Sequence, residues 1–246
     1  MTVMQTTTLS VASVLLFFVP LPAVASWPWL VGGALLHAGY RASLVRAFGH
    51  GDLGEIYPIS RGASPMMVTI AAALVAGDFP KPFTLCGIAL SSLGIMGLGG
   101  SGKRRLPRRA LIAALSTAAF TASYTVVDGS GARRAGDALA FILWLFVLGG
   151  IGTLAWNMSR RPVRETSPSF KQISIAVCGG LISMSAYGIV IWANTLGSMG
   201  AVSALRETSV VFAVLMGRLF LNERVGPRRL FCCAAVALGC GCIALE

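Results

Sequence analysis

Residues 206–227 read RETSVVFAVLMGRLFLNERVGP. Charged residues stand at both ends of this stretch, whereas the residues between them are mostly apolar, with Arg218 as the charged exception. A helix needs about 17 to 25 mostly apolar residues to cross roughly 30 Å of hydrocarbon. The stretch therefore predicts a membrane-spanning helix, which we assign to residues 202–221.

Eight further apolar segments lie along the chain and are joined by short polar links. We therefore expect an all-α membrane protein of about nine transmembrane helices. The longest link, SRRPVRETSPSF, predicts a loop because it is rich in proline, serine and arginine. No basic residue precedes the first segment, so we expect a membrane span there and not a cleaved signal peptide. The predicted spans are 9–26, 29–48, 55–76, 83–100, 110–127, 137–157, 172–193, 202–221 and 230–245.

The composition indicates that lipid is the main solvent of the chain. Of its 246 residues, 55% are hydrophobic and 12% are charged, and the mean hydropathy is +0.76. These values are too apolar for an ordinary soluble domain. The formal net charge of +11 comes mostly from basic residues between the apolar runs. It therefore indicates membrane topology signals, and we expect no nucleic acid as a partner.

The basic residues favour one side of the membrane. Of the 20 Lys and Arg residues, three fall in links on one side and three lie within spans, whereas the other 14 fall on the opposite side. The positive-inside rule would place that side and the N-terminus in the cytoplasm and the C-terminus outside. We use this count for the relative sides of the links and leave the absolute orientation open.

Several kinds of site are not predicted. The six cysteines fall inside apolar runs without a nearby histidine, which indicates packing rather than metal binding or disulfides. The segment GLGGSGKR matches part of a phosphate-binding loop, but Arg104 replaces the required Ser or Thr and no strand precedes it. The sequence also contains no paired carboxylates in one polar pocket and no G-x-S-x-G nucleophile motif. We therefore expect no cofactor, no metal and no enzymatic activity.

The two halves of the chain are related to each other. Five predicted crossings separate the span with Arg61 from the span with Arg206, and this odd number predicts an inverted-topology repeat. We expect a first repeat at 1–100 with four helices, a basic loop at 101–109, and a second repeat at 110–246 with five. A shift of 145 residues aligns Arg61 with Arg206, Ser64 with Ser209, Asp78 with Glu223, Pro82 with Pro227, Leu93 with Leu238 and Gly94 with Gly239, and shifts of 146 and 147 align Gly51 and Gly54 with Gly197 and Gly200, and Tyr40 with Tyr187.

Three segments carry a resemblance to a known family. They are GDLGEIYPISRGASP at 51–65, ASYTVVDGSGAR at 122–133, and the stretch at 206–227. From about residue 10 onward the chain resembles an EamA-type member of the drug/metabolite transporter superfamily. The resemblance implies ten helices in two inverted repeats, no cofactor, and export or exchange of small molecules.

Short motifs show where the chain follows this family and where it departs from it. The triplet Asn222-Glu223-Arg224 resembles the family's Gly-Glu-Arg, and Gly77 and Asp78 stand at the equivalent place in the first repeat. The family usually has a helix before the first one predicted here, so we expect the first repeat to lack its opening helix. The family also usually has a cytoplasmic C-terminus, whereas the distribution of basic residues would place the C-terminus of this chain outside.

One helix face in the third span is a candidate substrate site. Tyr57, Arg61 and Ser64 follow at i, i+4 and i+7, which places them on one face. An arginine at membrane depth is costly and is a functional candidate by default. We hypothesise that Arg61 binds an anionic or carboxylated substrate. Arg206 and Glu207 are further candidates, although both arginines could instead reach the lipid headgroups, or Arg206 could pair with Glu207.

The fifth span carries a polar stripe beside an alanine stripe. The alanines at 110, 114, 118 and 122 suit close helix packing. Asp128 is a candidate proton-coupling carboxylate, although an acid at the end of a span is also an ordinary interfacial residue. The polar stripe, which we expect to face the cavity, consists of Thr117, Thr121, Tyr124 and Asp128.

Four residues form a second tier of candidates: His37, Tyr40, Tyr187 and Trp192. Aromatic residues near the ends of spans are more often interface anchors than ligand platforms. His37 has no carboxylate at helical spacing, so its own segment predicts no partner for it.

These features favour a secondary transporter that exports or exchanges small organic metabolites or drugs by alternating access. The expected location is a bacterial inner membrane, with a proton as a candidate coupling ion and a homodimer as a candidate assembly. The alternative is an accessory or degenerate membrane subunit that does not transport. A membrane-embedded enzyme ranks below both, because no catalytic constellation is present.

Overall fold

The computed structural model describes residues 2–49, 53–99, 107–159, 169–220 and 226–245. All regular structure in these ranges is helical. Seven segments of the described chain are long and apolar enough to cross a membrane, and Val3–Phe18 is a shorter apolar helix. The predicted fold class, an all-α membrane protein, is confirmed.

Some predicted features lie outside the described residues. They are Gly51, the triplet Asn222-Glu223-Arg224, and most of the predicted basic loop, including Lys103 and Arg104. The greater part of the longest predicted link, residues 160–168, also falls outside.

Ten α-helices occur in the described residues, named here in chain order. They are α1 (Thr2–Leu15), α2 (Trp27–Phe48), α3 (Leu53–Ala76), α4 (Pro82–Gly99), α5 (Arg108–Arg134), α6 (Ala138–Ser159), α7 (Phe170–Leu196), α8 (Met199–Arg206), α9 (Ser209–Phe220) and α10 (Pro227–Ala244).

The chain divides into two compact units. Unit one comprises the residues up to Ala38 and Val127–Leu196, and unit two comprises Gly39–Val126 and the residues from Gly197 onward. Unit one therefore contains α1, α6 and α7, and unit two contains α3, α4, α8, α9 and α10. Helices α2 and α5 each contribute residues to both units.

In unit one, α1 packs against both α6 and α7. The core of this unit includes Leu30 and Phe141, which are fully buried. Gly131 of α5 is needed at this point because a Cβ there would collide with the ring of Phe141 and with the side chain of Trp29. The small residue thus allows α2, α5 and α6 to approach closely, as is usual for packed membrane helices.

In unit two, α4 packs along α10, and α3 packs against α4 and α8. Gly87 and Gly239 face each other, since a Cβ on either one would press against the carbonyl oxygen of the other. Ser91 donates its hydroxyl proton to the Gly87 carbonyl oxygen over 2.9 Å. Ile95 and Val236 are fully buried beside this contact. The tight pair supports α3 and α8, which carry the first site described below.

The first helix lies earlier than the predicted span at 9–26. Helix α1 covers Thr2–Leu15 and ends in a 3-10 turn at Leu16–Phe18. The residues that follow include Pro20 and Pro22, which lack the N–H that a continuing helix requires. The apolar stretch therefore continues past the end of the helix.

The predicted span at 202–221 is divided into two helices. Helix α8 ends at Arg206 and α9 begins at Ser209. Across the break, the Glu207 N–H donates to the Ala204 carbonyl oxygen and the Thr208 N–H to the Leu205 carbonyl oxygen, each over 3.1 Å. These i to i+3 bonds are tighter than α-helical ones, and such turns inside a helical run often mark functional positions.

The fifth helix is longer than predicted. Helix α5 continues to Arg134, seven residues past the predicted end at 127. Asp128 therefore lies inside the helix and is fully buried. Asp128 is therefore not an exposed acid at the end of a helix, and its carboxylate contacts partners on other helices.

Candidate functional site

A buried carboxylate lies at the break between α8 and α9 in unit two. Glu207 is fully buried, and its Oε1 atom accepts hydrogen bonds from two arginines. Arg61 of α3 donates through Nη1 over 3.1 Å. Arg206 donates through Nε and Nη2, each over 3.2 Å. We call these three residues the arginine–glutamate cluster.

Arg61 is only partly engaged in this cluster. Its guanidinium carbon lies 5.2 Å from the centre of the Tyr57 ring, which fits a cation–π contact. Within the described residues its one hydrogen bond is to Glu207, although a guanidinium carries five N–H donors. The Arg61 side chain is 28% exposed, whereas that of Glu207 is fully buried. Arg61 therefore has donors available to a ligand that reaches this position.

The start of α8 is held by the end of α3, and this contact sets the position of Glu207. Asp78 accepts a hydrogen bond from the Met199 N–H at its Oδ2 over 2.9 Å. A carboxylate suits a helix N-terminus because the first N–H groups of a helix lack partners inside it. Gly77, just after α3, has a φ of +63°, which glycine adopts readily. Ser198 completes the cap by accepting from the Ala201 N–H.

Four buried polar atoms of unit two have no hydrogen-bond partner among the described residues. They are the hydroxyl oxygens of Ser64, Ser92 and Ser203 and the Oε2 atom of Glu207. Ser92 lies on α4, and the other three lie on α3, on α8 or at the α8–α9 break. Buried polar atoms without partners are uncommon and often mark a place where water or a ligand binds. Ser64 is fully buried, so the predicted face passes from exposed Tyr57 to a buried hydroxyl.

The threonines of the predicted polar stripe bond mainly to their own helix. Thr117 donates to the Ala113 carbonyl oxygen and also contacts the Ser43 hydroxyl. Thr121 donates to the Thr117 carbonyl oxygen. Both are almost fully buried, so within the described residues they contribute to helix packing rather than to an open surface.

Two tyrosines of unit two meet edge to face. The rings of Tyr40 and Tyr124 have centres 5.5 Å apart and an interplanar angle of 77°. Tyr40 is a second-tier candidate and Tyr124 belongs to the predicted stripe, so the structure brings these two candidates together.

A second buried carboxylate lies in unit one. Asp128 of α5 accepts a hydrogen bond from the Tyr187 hydroxyl at Oδ2 over 2.6 Å. The Nε2 atom of His37 lies 2.8 Å from the same oxygen. The His37 and Tyr187 rings also meet edge to face, with centres 5.4 Å apart. We call these three residues the histidine–aspartate cluster.

The helices around Asp128 leave space for its carboxylate. A Cβ at Gly33 of α2 would collide with the Asp128 Oδ1 atom. Oδ1 is buried and has no hydrogen-bond partner among the described residues. The sequence did not predict the pairing of Asp128 with His37, because the two residues are 91 positions apart and belong to different helices.

The remaining tryptophan candidate belongs to neither cluster. Trp192 is exposed over 53% of its surface and borders an apolar cavity of about 390 Å³ that α1, α6 and α7 enclose in part. Its setting resembles that of a lipid-facing anchor more than that of a polar site. In the described residues, no group of three or more His, Cys, Asp or Glu side chains is placed to hold a metal ion.

Comparison with known proteins gives a family and a fold. The model of the EamA-like transporter family matches residues 108–245, which is more than half of the chain. A solved structure titled "Crystal structure of protein" is similar over 99% of this chain and 84% of that chain, with a TM-score of 0.74 and 16% sequence identity. An identity this low supports a shared fold alone. No curated protein sequence matches the chain significantly.

Proposed function

Since the chain belongs to the EamA-like transporter family, in agreement with its predicted resemblance, we propose that it is a secondary transporter that exports or exchanges small organic metabolites by alternating access. Its substrates carry a carboxylate or a similar anionic group, which Arg61 binds. The protein is a multi-pass membrane protein, and we expect it in a bacterial inner membrane.

The observation that carries this proposal is the convergence of two arginines on one carboxylate oxygen at a break in a helix. Discontinuous membrane helices form the substrate sites of many secondary transporters, near the middle of the bilayer. Glu207 is the ninth residue of the 22-residue apolar segment Met199–Phe220, so it lies close to the middle of that segment. Charged residues at such depth usually serve a substrate pathway.

The chemistry of Arg61 favours an anionic ligand. A guanidinium binds a carboxylate through two parallel hydrogen bonds, and it stays charged at all physiological pH values. Arg61 uses one donor on Glu207 within the described residues, and Tyr57 lies under its planar group. A substrate carboxylate would therefore compete with Glu207 for Arg61. Because Glu207 lies in the α8–α9 break, this competition would couple substrate binding to the conformation of the break.

Alternating access follows from the proposed two-repeat organisation. The family match begins at Arg108, the first residue of α5 and two residues before the predicted start of the second repeat at 110. Two inverted repeats can open in turn to either side of the membrane around one site. The repeat organisation stays a prediction, and so does the equivalence of Arg61 and Arg206 within it.

The experiment compares small molecules inside and outside cells that express the chain, Arg61→Ala, or Arg218→Ala at equal membrane abundance. Arg218 is a matched control because it is an exposed arginine of α9 and, among the described residues, forms no hydrogen bond or ion pair with either cluster. We expect one class of anionic compounds to be exported by the wild type and by Arg218→Ala, and to be retained in cells with Arg61→Ala.

Two results would contradict the proposal. If export of this class were equal in all three strains, Arg61 would not bind the substrate. If no compound class differed between cells with and without the inserted wild-type chain, a non-transporting accessory subunit would be the better interpretation.

A further inference from the structure

The histidine–aspartate cluster of unit one takes no part in the substrate site proposed above. It lies in α2, α5 and α7 and contains a fully buried carboxylate, a histidine and a phenol within 3.3 Å of one another. We propose that Asp128, His37 and Tyr187 form a proton-binding site that couples substrate movement to a pH gradient. The coupling part of this inference rests on the proposed transport function, whereas the proton-binding part does not.

The net charge of the cluster favours the uptake of a proton. With Asp128 ionised, His37 neutral and Tyr187 protonated, the three groups carry one negative charge at a position with no exposed carboxylate surface. A buried charge is costly unless it is paired, so the uptake of one proton relieves this cost. The proton comes from water and binds to the Asp128 carboxylate, so that the cluster becomes neutral overall. Release of the same proton restores the first state.

The hydrogen bonds of the cluster leave one carboxylate oxygen able to accept a proton. Asp128 Oδ2 is held by the Tyr187 hydroxyl and by His37, whereas Oδ1 is buried without a partner in the described chain. An oxygen in that position can take a proton without breaking an existing hydrogen bond. Histidine is the side chain whose ordinary charge change falls between pH 5 and 8. The His37 side chain is 22% exposed, so one member of the cluster is partly accessible from outside the protein.

Other titratable groups near the cluster are few. In unit one, α1 and α6 carry no titratable side chain in their sequences. On α7, Tyr187 is accompanied by Cys178 and Lys171, more than two helical turns earlier. On α2, Tyr40 and Arg41 lie about one turn after His37, and on α5, Tyr124 lies one turn before Asp128.

Two arginines follow Asp128 near the end of α5 but are directed to other groups. Arg133 donates to the Asn194 carbonyl oxygen over 2.8 Å. Arg134 donates to the Ser130 carbonyl oxygen and lies over the Trp29 ring, at 4.8 Å from its centre. His37 is therefore the basic partner that directly contacts Asp128 in the described residues.

The first experiment measures proton binding without any substrate. Purified protein in lipid vesicles is titrated with acid while infrared difference spectra record the carbonyl band of protonated carboxyl groups. We expect a titrating band in the wild type that is lost in Asp128→Asn. Asp137→Asn is the matched control, because Asp137 caps α6 by accepting from the Leu139 and Ala140 N–H groups and asparagine can serve the same purpose.

The second experiment measures coupling in the same vesicles, with the compound class found in the cell comparison. With a permeant ion holding the membrane potential at zero, an exchange of one proton for one substrate molecule sustains a substrate gradient of up to about tenfold per pH unit. We expect the imposed pH gradient to drive accumulation with the wild type and with Asp137→Asn, and this response to be lost with Asp128→Asn. If Asp128→Asn does not insert, His37→Gln takes its place, with a weakened response expected.

The outcomes separate the two proposals. A carboxyl band that remains unchanged in Asp128→Asn, or that never appears in the wild type, overturns the proton-binding site. Wild-type transport that ignores the pH gradient overturns the coupling and leaves the proposed transport function standing. The absence of any wild-type transport overturns the proposed function and with it the coupling, while the infrared titration still decides whether Asp128 binds a proton.

Discussion

The two clusters each place one carboxylate out of contact with solvent, yet they stabilise it by different chemistry. Glu207 is bound by two guanidinium groups, which keep their charge at all physiological pH values. Asp128 is bound by an imidazole and a phenol, neither of which carries a permanent charge. A fixed positive charge suits the recognition of an anion, whereas partners without a permanent charge suit the uptake of a proton. The two proposals therefore assign different roles to the two buried acids.

The largest expected effect comes from removing the Glu207 carboxylate. Glu207→Gln leaves Arg61 and Arg206 partly buried without their shared anion, and breaking a buried pair in this way costs about 3 kcal/mol. Asp128→Asn should cost less, since asparagine keeps an acceptor for Tyr187, and a histidine, unlike an arginine, can stay uncharged when it has no acidic partner. Thermal unfolding of the purified variants in the same detergent measures both. An equal or greater loss of stability in Asp128→Asn would contradict this contrast between the clusters.

A second variant disturbs the histidine–aspartate cluster without changing any polar group. Gly33→Ala introduces a methyl group where Asp128 Oδ1 lies, so the carboxylate must move. Overpacking of this kind costs about 1 to 3 kcal/mol, and we expect the response to a pH gradient to be reduced as well. Gly152→Ala on α6 is the matched control, because a Cβ there meets no atom within 4 Å. A normal pH response in Gly33→Ala would show that the position of Asp128 is unimportant.

The third prediction concerns the cap that positions the arginine–glutamate cluster. Asp78→Ala removes the acceptor for the Met199 N–H, which should destabilise the protein by about 1 kcal/mol. Asp78→Asn keeps an acceptor and should lose less. Thermal unfolding separates the two variants, and the affinity for the transported compound should fall in the same order. The same affinity in all three proteins would mean that the start of α8 does not control the site.

The smallest expected effect belongs to Tyr57. Tyr57→Leu removes the ring beneath Arg61 and should weaken substrate binding about two- to fivefold, in line with the 0.5 to 1 kcal/mol of an exposed cation–π contact. Tyr57→Phe keeps the ring and should bind almost normally. Isothermal titration with the transported compound distinguishes them. A larger loss in Tyr57→Phe than in Tyr57→Leu would point to the hydroxyl group and not to the ring.

The sequence predicts the helices better than it predicts their interruptions. Apolar length identifies the membrane segments, because crossing the bilayer imposes one simple requirement on all of them. The break at Glu207 escapes this reasoning, since it interrupts an apolar run and depends on Arg61, which lies 146 residues away. The predicted end of the first span at residue 26 is also too late, because Pro20 and Pro22 prevent the helix from continuing while the apolar sequence goes on.

For the candidate residues, the sequence likewise predicts contacts within one helix better than contacts between helices. Helical spacing placed Tyr57, Arg61 and Ser64 on one face, and the contact of Arg61 with Tyr57 is of this local kind. The partner of His37 could not be found from its own helix, because Asp128 belongs to α5. Pairings between helices depend on tertiary packing, which a single sequence does not reveal.

Recognition of an anionic group of the transported compound by Arg61 can be measured through the unfolding temperature. The purified wild type and Arg61→Ala are each unfolded with that compound and with its neutral amide. We expect the anionic compound to raise the unfolding temperature of the wild type alone, and the amide to raise neither. Equal stabilisation of the wild type by the two compounds, or equal stabilisation of both proteins by the anion, would contradict it.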